Sequence, residues 1–100
     1  MAIAYNFEWD IIKATSNEDK HGVSFEEAAT VFNDPMALTI FDPDHSEGDE
    51  RWITMGVSGK GRLLIVVHTF QDDVEGAHTI RIISTRKASK HETKIYGEQS

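Results

Sequence analysis

The chain has no cysteine among its 100 residues. That excludes disulfides and thiolate metal sites, and it fits a reducing compartment. Proline is nearly absent too: Pro35 and Pro43 are the only two, and each follows an aspartate in a stretch that reads as a break. Long apolar runs are missing. The longest, Leu63 to Val67, is far too short to cross a bilayer. Met1 to Asn6 lacks the basic region and apolar core of a secretion signal. No Gly-rich phosphate loop, serine nucleophile elbow or HExxH pair occurs. These absences point to a soluble, cytoplasmic, single-domain protein with one modest core and no membrane association.

Positive charge is scarce in the first half. Residues 1–50 hold only Lys13 and Lys20 against twelve acids, a net of −10. Residues 51–100 hold eight lysines and arginines against five acids, a net of +3. A basic half on an acidic chain argues for a localised anion site rather than a surface that coats nucleic acid. The competing reading is a surface whose charges happen to segregate.

Helix signals fill the first third. Asp10 is placed to cap a helix that runs to about His21, where Gly22 supplies a left-handed stop. Ser24-Phe25-Glu26-Glu27 has the spacing of a capping box, and the helix it opens, through Ala28, Ala29 and Phe32, ends at Asn33-Asp34-Pro35. Ile3 to Phe7 reads as a short first strand. Four more are predicted at Ala37 to Phe41, Arg51 to Val57, Arg62 to Phe70 and His78 to Thr85. Ser58 to Gly61 makes a hairpin loop, Asp42 to Glu50 and Gln71 to Ala77 make polar loops, and Lys87 to Tyr96 a last helix. The order β-α-α-β-β-β-β-α segregates helices from strands. The expected class is α+β: two N-terminal helices on a twisted antiparallel sheet, with a C-terminal helix.

Strand alternation sorts the polar candidates. Leu64, Val66, His68 and Phe70 share one face; Arg81, Ile83 and Thr85 share one face of the last strand, and Ile82, Ser84 and Arg86 the other. Arg81, between Ile80 and Ile82, either pairs with an acid such as Glu8 or Asp10 or opens onto an anion site. Arg51, Arg62, Arg86 and Lys87 fall at strand ends, where separate strands can converge, and a guanidinium's planar fork suits phosphate. His68 is the one histidine inside a strong strand, a position more often filled by a satisfied core residue than by a catalyst. Lys20 and His21, in the last turn of a helix, are favoured there by the helix dipole alone. Asp42, Asp44, Glu47, Asp49 and Glu50 are dense enough to hold a hard cation but lack EF-hand spacing, so they read as a solvated acidic loop.

The chain resembles the BrnT toxin family. The likeness is carried by Phe7-Glu8-Trp9-Asp10, Lys13-Ala14, Asn17, Lys20-His21-Gly22-Val23-Ser24-Phe25-Glu26-Glu27-Ala28 and Val31-Phe32-Asn33-Asp34-Pro35. It continues through Asp42-Pro43-Asp44-His45-Ser46, Glu50-Arg51-Trp52, Gly56, Leu64, Val66, His68 and Arg81-Ile82-Ile83-Ser84-Thr85-Arg86-Lys87-Ala88. Thr85 departs from the alanine more usual before that arginine.

The resemblance implies a RelE-like fold and a ribonuclease toxin of a type II toxin–antitoxin pair. The implied partner is a BrnA-like ribbon-helix-helix antitoxin in a 2:2 complex, with DNA contacted only through the antitoxin. The implied chemistry is RNA cleavage without metal or other cofactor: the ribose 2′-hydroxyl attacks the neighbouring phosphorus. On that reading His68 carries the proton, Arg81 and Arg86 stabilise the extra charge, and Arg51, Lys20 and His21 contact substrate. Arg81 and Arg86 point to opposite faces of a regular strand, so a bulge or the strand's end at Thr85 must bring Arg86 round, or one of the two is structural. The alternative is a BrnT-like module that has lost catalysis and only binds its antitoxin, acting in autoregulation of the operon.

Overall fold

A computed structural model describes residues 5–45, 50–72 and 75–99. Ile3 and Ala4 of the expected first strand, Ser46 to Asp49 of the acidic loop, and Asp73 and Val74 of the next polar loop lie outside these. Strand β1 is Tyr5–Glu8, helix α1 Ile11–His21 and helix α2 Phe25–Thr30, continued by a 3₁₀ turn at Val31–Asn33. Strands β2 (Leu38–Asp42), β3 (Arg51–Val57), β4 (Leu63–Asp72) and β5 (His78–Lys87) follow, and helix α3 (Lys90–Gly97) closes the chain.

The five strands form one sheet in the order β1-β5-β4-β3-β2. β2 to β5 make the expected antiparallel meander. The expectation of a wholly antiparallel sheet is corrected at one edge: β1 lies parallel to β5, with Tyr5 opposite His78 and Glu8 opposite Arg81. The sheet is therefore mixed. A parallel pair needs a long crossover, and here everything from α1 to β4 supplies it.

Local signals explain the helix ends. The Asp10 carboxylate accepts from the backbone N–H groups of Ile12 at 2.8 Å and Lys13 at 3.1 Å, and these bonds hold its carboxyl below the usual range. Gly22 ends α1 at φ 70°, a left-handed conformation that costs glycine nothing. The expected capping box of α2 is only half formed. Ser24 Oγ accepts from Glu27 N at 3.1 Å, but the Glu27 side chain does not turn back. It is buried and holds the β3–β4 hairpin instead, accepting from Ser58 Oγ at 2.7 Å and from Arg62 Nε at 2.9 Å, with a second contact from Arg62 Nη2. The guanidinium holds the Glu27 carboxyl below its ordinary pKa. A complete capping box occurs at α3, between Ser89 and Glu92.

The main core lies on one side of the sheet. Val23, Phe25, Ala28 and Val31 pack there against Leu64, Val66, Ile80 and Ile82, with Phe7, Trp9 and Phe32 at the margin. Close approach of the 3₁₀ turn explains Gly56, where an added Cβ would lie 2.8 Å from Val31 Cγ1. The other side of the sheet, carrying Ile53, Ile65 and Val67, is crossed by α3 and bears the cleft described below.

Two polar residues are built into the helix-covered side. Asn17 of α1 takes the place of a strand partner where β1 has ended: Thr85 N donates to its Oδ1 at 3.1 Å, and its Nδ2 donates to Thr85 O at 3.0 Å and Val23 O at 3.1 Å. His68 is wholly buried. Its Nε2 meets Thr54 Oγ1 at 2.7 Å, and its ring stands edge-to-face with Phe32 and Phe70 at 4.9 and 4.8 Å. Loss of hydration pushes its pKa down to about 4, so the imidazole is neutral at pH 7.

Asn17→Ala is expected to strand three backbone groups and cost on the order of 2–3 kcal/mol, read as a lower urea midpoint at unchanged m-value. For His68 the unfolded chain binds the proton more readily than the native one. Its contribution to stability is thus present above pH 6.5 and lost as pH falls towards 4. Between pH 6.5 and 5, above the range where unfolded carboxylates titrate, the native protein should lose about 1.5 kcal/mol. A His68→Gln variant should lack that loss, and an equal slope in both proteins would show that another group is responsible.

Candidate active site

The last strand contains one residue too many for its partner. Val67 pairs with Ser84 but His68 pairs with Ile82, so Ile83 has no opposite number and the β4–β5 ladder is irregular there. Strict alternation would put Ile82 and Arg86 on one face. The bulge instead lets Ile82 and Thr85 both turn inward, each 2% exposed, and sends Ser84 and Arg86 to the opposite side. The Thr85 hydroxyl donates to Ile65 O at 3.0 Å and is satisfied.

Arg86 thereby enters a cleft of about 400 Å³ on the sheet face remote from α2. Ile53, Ile65, Val67 and Ile83 form its apolar floor, and His21, Arg51, Arg86, Asp42 and Glu92 supply its polar groups. Each comes from a different place: His21 from the end of α1, Asp42 from β2, Arg51 from the start of β3, Arg86 from β5 and Glu92 from α3. Asp42 and Arg51 are directly opposite across the β2–β3 ladder. Arg86 meets Glu92 through both arms of its fork, Nη1 to Oε1 at 2.7 Å and Nη2 to Oε2 at 2.9 Å. The guanidinium holds the Glu92 carboxyl down at about 2, and the carboxylate in turn raises the Arg86 pKa.

Of the six residues singled out from the sequence, His21, Arg51 and Arg86 converge here. Lys20 lines an adjoining groove of about 380 Å³ with Lys13, Ser16 and Asn17; groove and cleft share His21, Ile83 and Ser84. Arg81 shares the outward side but stands near the β1 edge, where Arg81 Nη1 lies 3.6 Å from Glu8 Oε1. That is the acid-paired alternative left open by the sequence. His68 is not in the cleft: it sits on the helix-covered side, without solvent contact and with its basicity suppressed. A buried neutral ring packed between two aromatics has no path to a substrate held in the cleft.

Glu92 was missed as a site residue. Its signal was legible, since Ser89-Lys90-His91-Glu92 has capping-box spacing and so puts a carboxylate at the first turn of the last helix. Nothing local in the sequence shows that this carboxylate also reaches Arg86. Among the described residues, no group of three histidine or acidic side chains is arranged to hold a metal ion, and no helix is long and apolar enough to cross a membrane. The cleft's chemistry is thus two guanidiniums, one imidazole and two carboxylates over an aliphatic floor. That set can bind a phosphodiester and move a proton beside it.

No curated protein matches the chain. The crystal structure of the ribonuclease toxin BrnT of Brucella abortus matches with a TM-score of 0.58 at 21% identity, over 87% of this chain and 100% of that one. At that identity the likeness shows a shared fold. The family described as the ribonuclease toxin, BrnT, of type II toxin–antitoxin systems matches residues 9–92, from the end of β1 to the carboxylate that meets Arg86. With that span matched, the chain belongs to the BrnT family of ribonuclease toxins of type II toxin–antitoxin systems.

Proposed function

We propose that the cleft on the outward sheet face cleaves RNA, by attack of a ribose 2′-hydroxyl on the adjacent phosphorus. The observation that carries this reading is the convergence of His21, Arg51 and Arg86 from three elements onto one open cavity. In the reaction the 2′ oxygen forms a bond to phosphorus and the bond to the 5′ oxygen breaks. The products are a 2′,3′-cyclic phosphate and a 5′-hydroxyl. His21 accepts the 2′-hydroxyl proton, and the leaving 5′ oxygen takes a proton from solvent water. Arg86 and Arg51 hold the non-bridging oxygens, where charge accumulates in the phosphorane-like transition state. Charge stabilisation comes from guanidinium groups, so the proposed reaction uses no metal. His68, assigned the proton-carrying role by resemblance alone, becomes a core residue, and Arg81 a partner of Glu8. Lys13 and Lys20, along the adjoining groove, guide the flanking backbone.

The wider assignment follows from the family. The fold is read as RelE-like, and the protein acts in the cytoplasm as the toxin of its pair. An antitoxin is implied by the family. We infer that it is a BrnA-like ribbon-helix-helix protein, that it covers the cleft with an acidic or apolar segment, and that the complex is 2:2 and meets DNA only through the antitoxin.

Arg86→Ala and His21→Ala should each lower RNA cleavage by roughly 10²–10³-fold while the circular dichroism spectrum stays native. Cleavage by the unaltered protein should survive excess EDTA. Primer extension on RNA incubated with purified protein, with and without EDTA, reads both effects, and full activity in a folded His21→Ala protein would remove His21 from the mechanism. No cleavage by the unaltered protein would favour the module that only binds its antitoxin. Co-expression with the adjacent small reading frame should give one species by size-exclusion chromatography with light scattering. Two separate peaks at micromolar concentration would end the proposed partnership.

A further inference from the structure

Arg86 lines the cleft, yet its fork already faces a planar, bidentate acceptor. The two Glu92 oxygens lie 2.7 and 2.9 Å from its two terminal nitrogens. Two phosphate oxygens would take the same positions, since a guanidinium presents the same parallel pair of N–H bonds to carboxylate and phosphate. Glu92 cannot leave alone. Its Oε1 also accepts from Ser89 N at 2.8 Å, while Ser89 Oγ accepts from Glu92 N at 3.1 Å, so moving it undoes the cap of α3.

Helix α3 buries little. None of its residues is buried. Its apolar anchor, Ile95, is 41% exposed over a shallow hollow lined by Leu38, Met55 and Ile65. Its far end is tied by polar contacts, Tyr96 Oη to Asp34 Oδ2 and Gln99 Nε2 to Met36 O, each at 2.5 Å. Elements with few buried apolar contacts open at low free-energy cost.

We propose that Glu92 is a built-in competitor of the RNA phosphate at Arg86, and that α3 is a strap which must lift its first turn before substrate engages. The inference rests on the reading of the cleft as the RNA site. Strap and phosphate exclude one another at a single guanidinium, so weakening one strengthens the other by the same factor.

The probe is a fluorescein-labelled oligonucleotide with 2′-deoxy sugars, which binds without being cut; its affinity is read by anisotropy. Glu92→Gln keeps the shape and the cap acceptor but removes the charge. It should bind the probe roughly two- to fivefold tighter, the scale of a partly exposed ion pair. The gain should vanish in an Arg86→Ala background. In the unaltered protein, backbone amides of residues 91–97 should exchange faster with probe bound, a readout that stands even if Glu92→Gln melts α3. Equal or weaker binding by a folded Glu92→Gln protein, a gain that persists without Arg86, or slower or unchanged exchange in α3 would each overturn the strap. Its failure is distinguishable from failure of the cleft. If Arg86→Ala weakens binding but Glu92→Gln does not strengthen it, the strap alone falls. If the unaltered protein and Arg86→Ala bind the probe alike, or neither binds it, the RNA site at Arg86 falls and the strap with it.

Discussion

The unpaired residue at Ile83 decides what this fold can do. A regular ladder through β5 would bury the Arg86 guanidinium beside Leu64 and Val66 or expel the strand from the core. By absorbing one residue, the strand keeps Ile80, Ile82 and Thr85 inside and delivers Arg86 to the outward face. The distortion is held from the side by Asn17, which gives the Thr85 backbone both of the bonds a neighbouring strand would have given. Since Asn17 stands one turn before His21 on the same helix, the grip that secures the bulge also sets how α1 meets the cleft.

Charge is partitioned in keeping with this. Acids are used as structural anchors: buried Glu27 fastens α2 to the β3–β4 hairpin through Arg62, and exposed Glu8 meets Arg81 at the sheet edge. Arg62 and Arg81 are thus held by acids away from the cleft. Arg51 and Arg86, the latter paired with Glu92, line the cleft, which is where the charge asymmetry of the sequence becomes a local property of the surface. The net charge of −7 describes the whole molecule and says little about the potential inside that cleft.

Much of the fold was legible because it is written in short-range signals. Asp10, Gly22 and the β-branched runs of β3 to β5 announce their elements within a few residues of themselves, and the element order follows. The parallel pairing of β1 was not legible, because a four-residue edge strand carries no mark of its partner's direction. The site was half legible. Residue type and strand position singled out Arg51 and Arg86, and the resemblance alone singled out His21; period-two counting put Arg86 opposite Arg81, and the bulge at Ile83 is what brings it round. The same counting correctly put His68 with Leu64 and Val66. It was the resemblance that turned this core histidine into a proton carrier, against the ordinary expectation for such a position. Glu92 went unread because its second role depends on a contact between β5 and α3 that no spacing reports.

The parallel edge also has a consequence for synthesis. β1 leaves the ribosome well before its partner β5, so Tyr5 must wait for His78. Pairing between such distant segments is slow to close and late to form. Arg86 and Glu92 lie later still. A nascent chain can therefore assemble helices α1 and α2 and much of the β2–β4 meander while the cleft does not yet exist. Until β5 and the first turn of α3 have both been made, neither the floor of the cleft nor the Arg86–Glu92 pair can form.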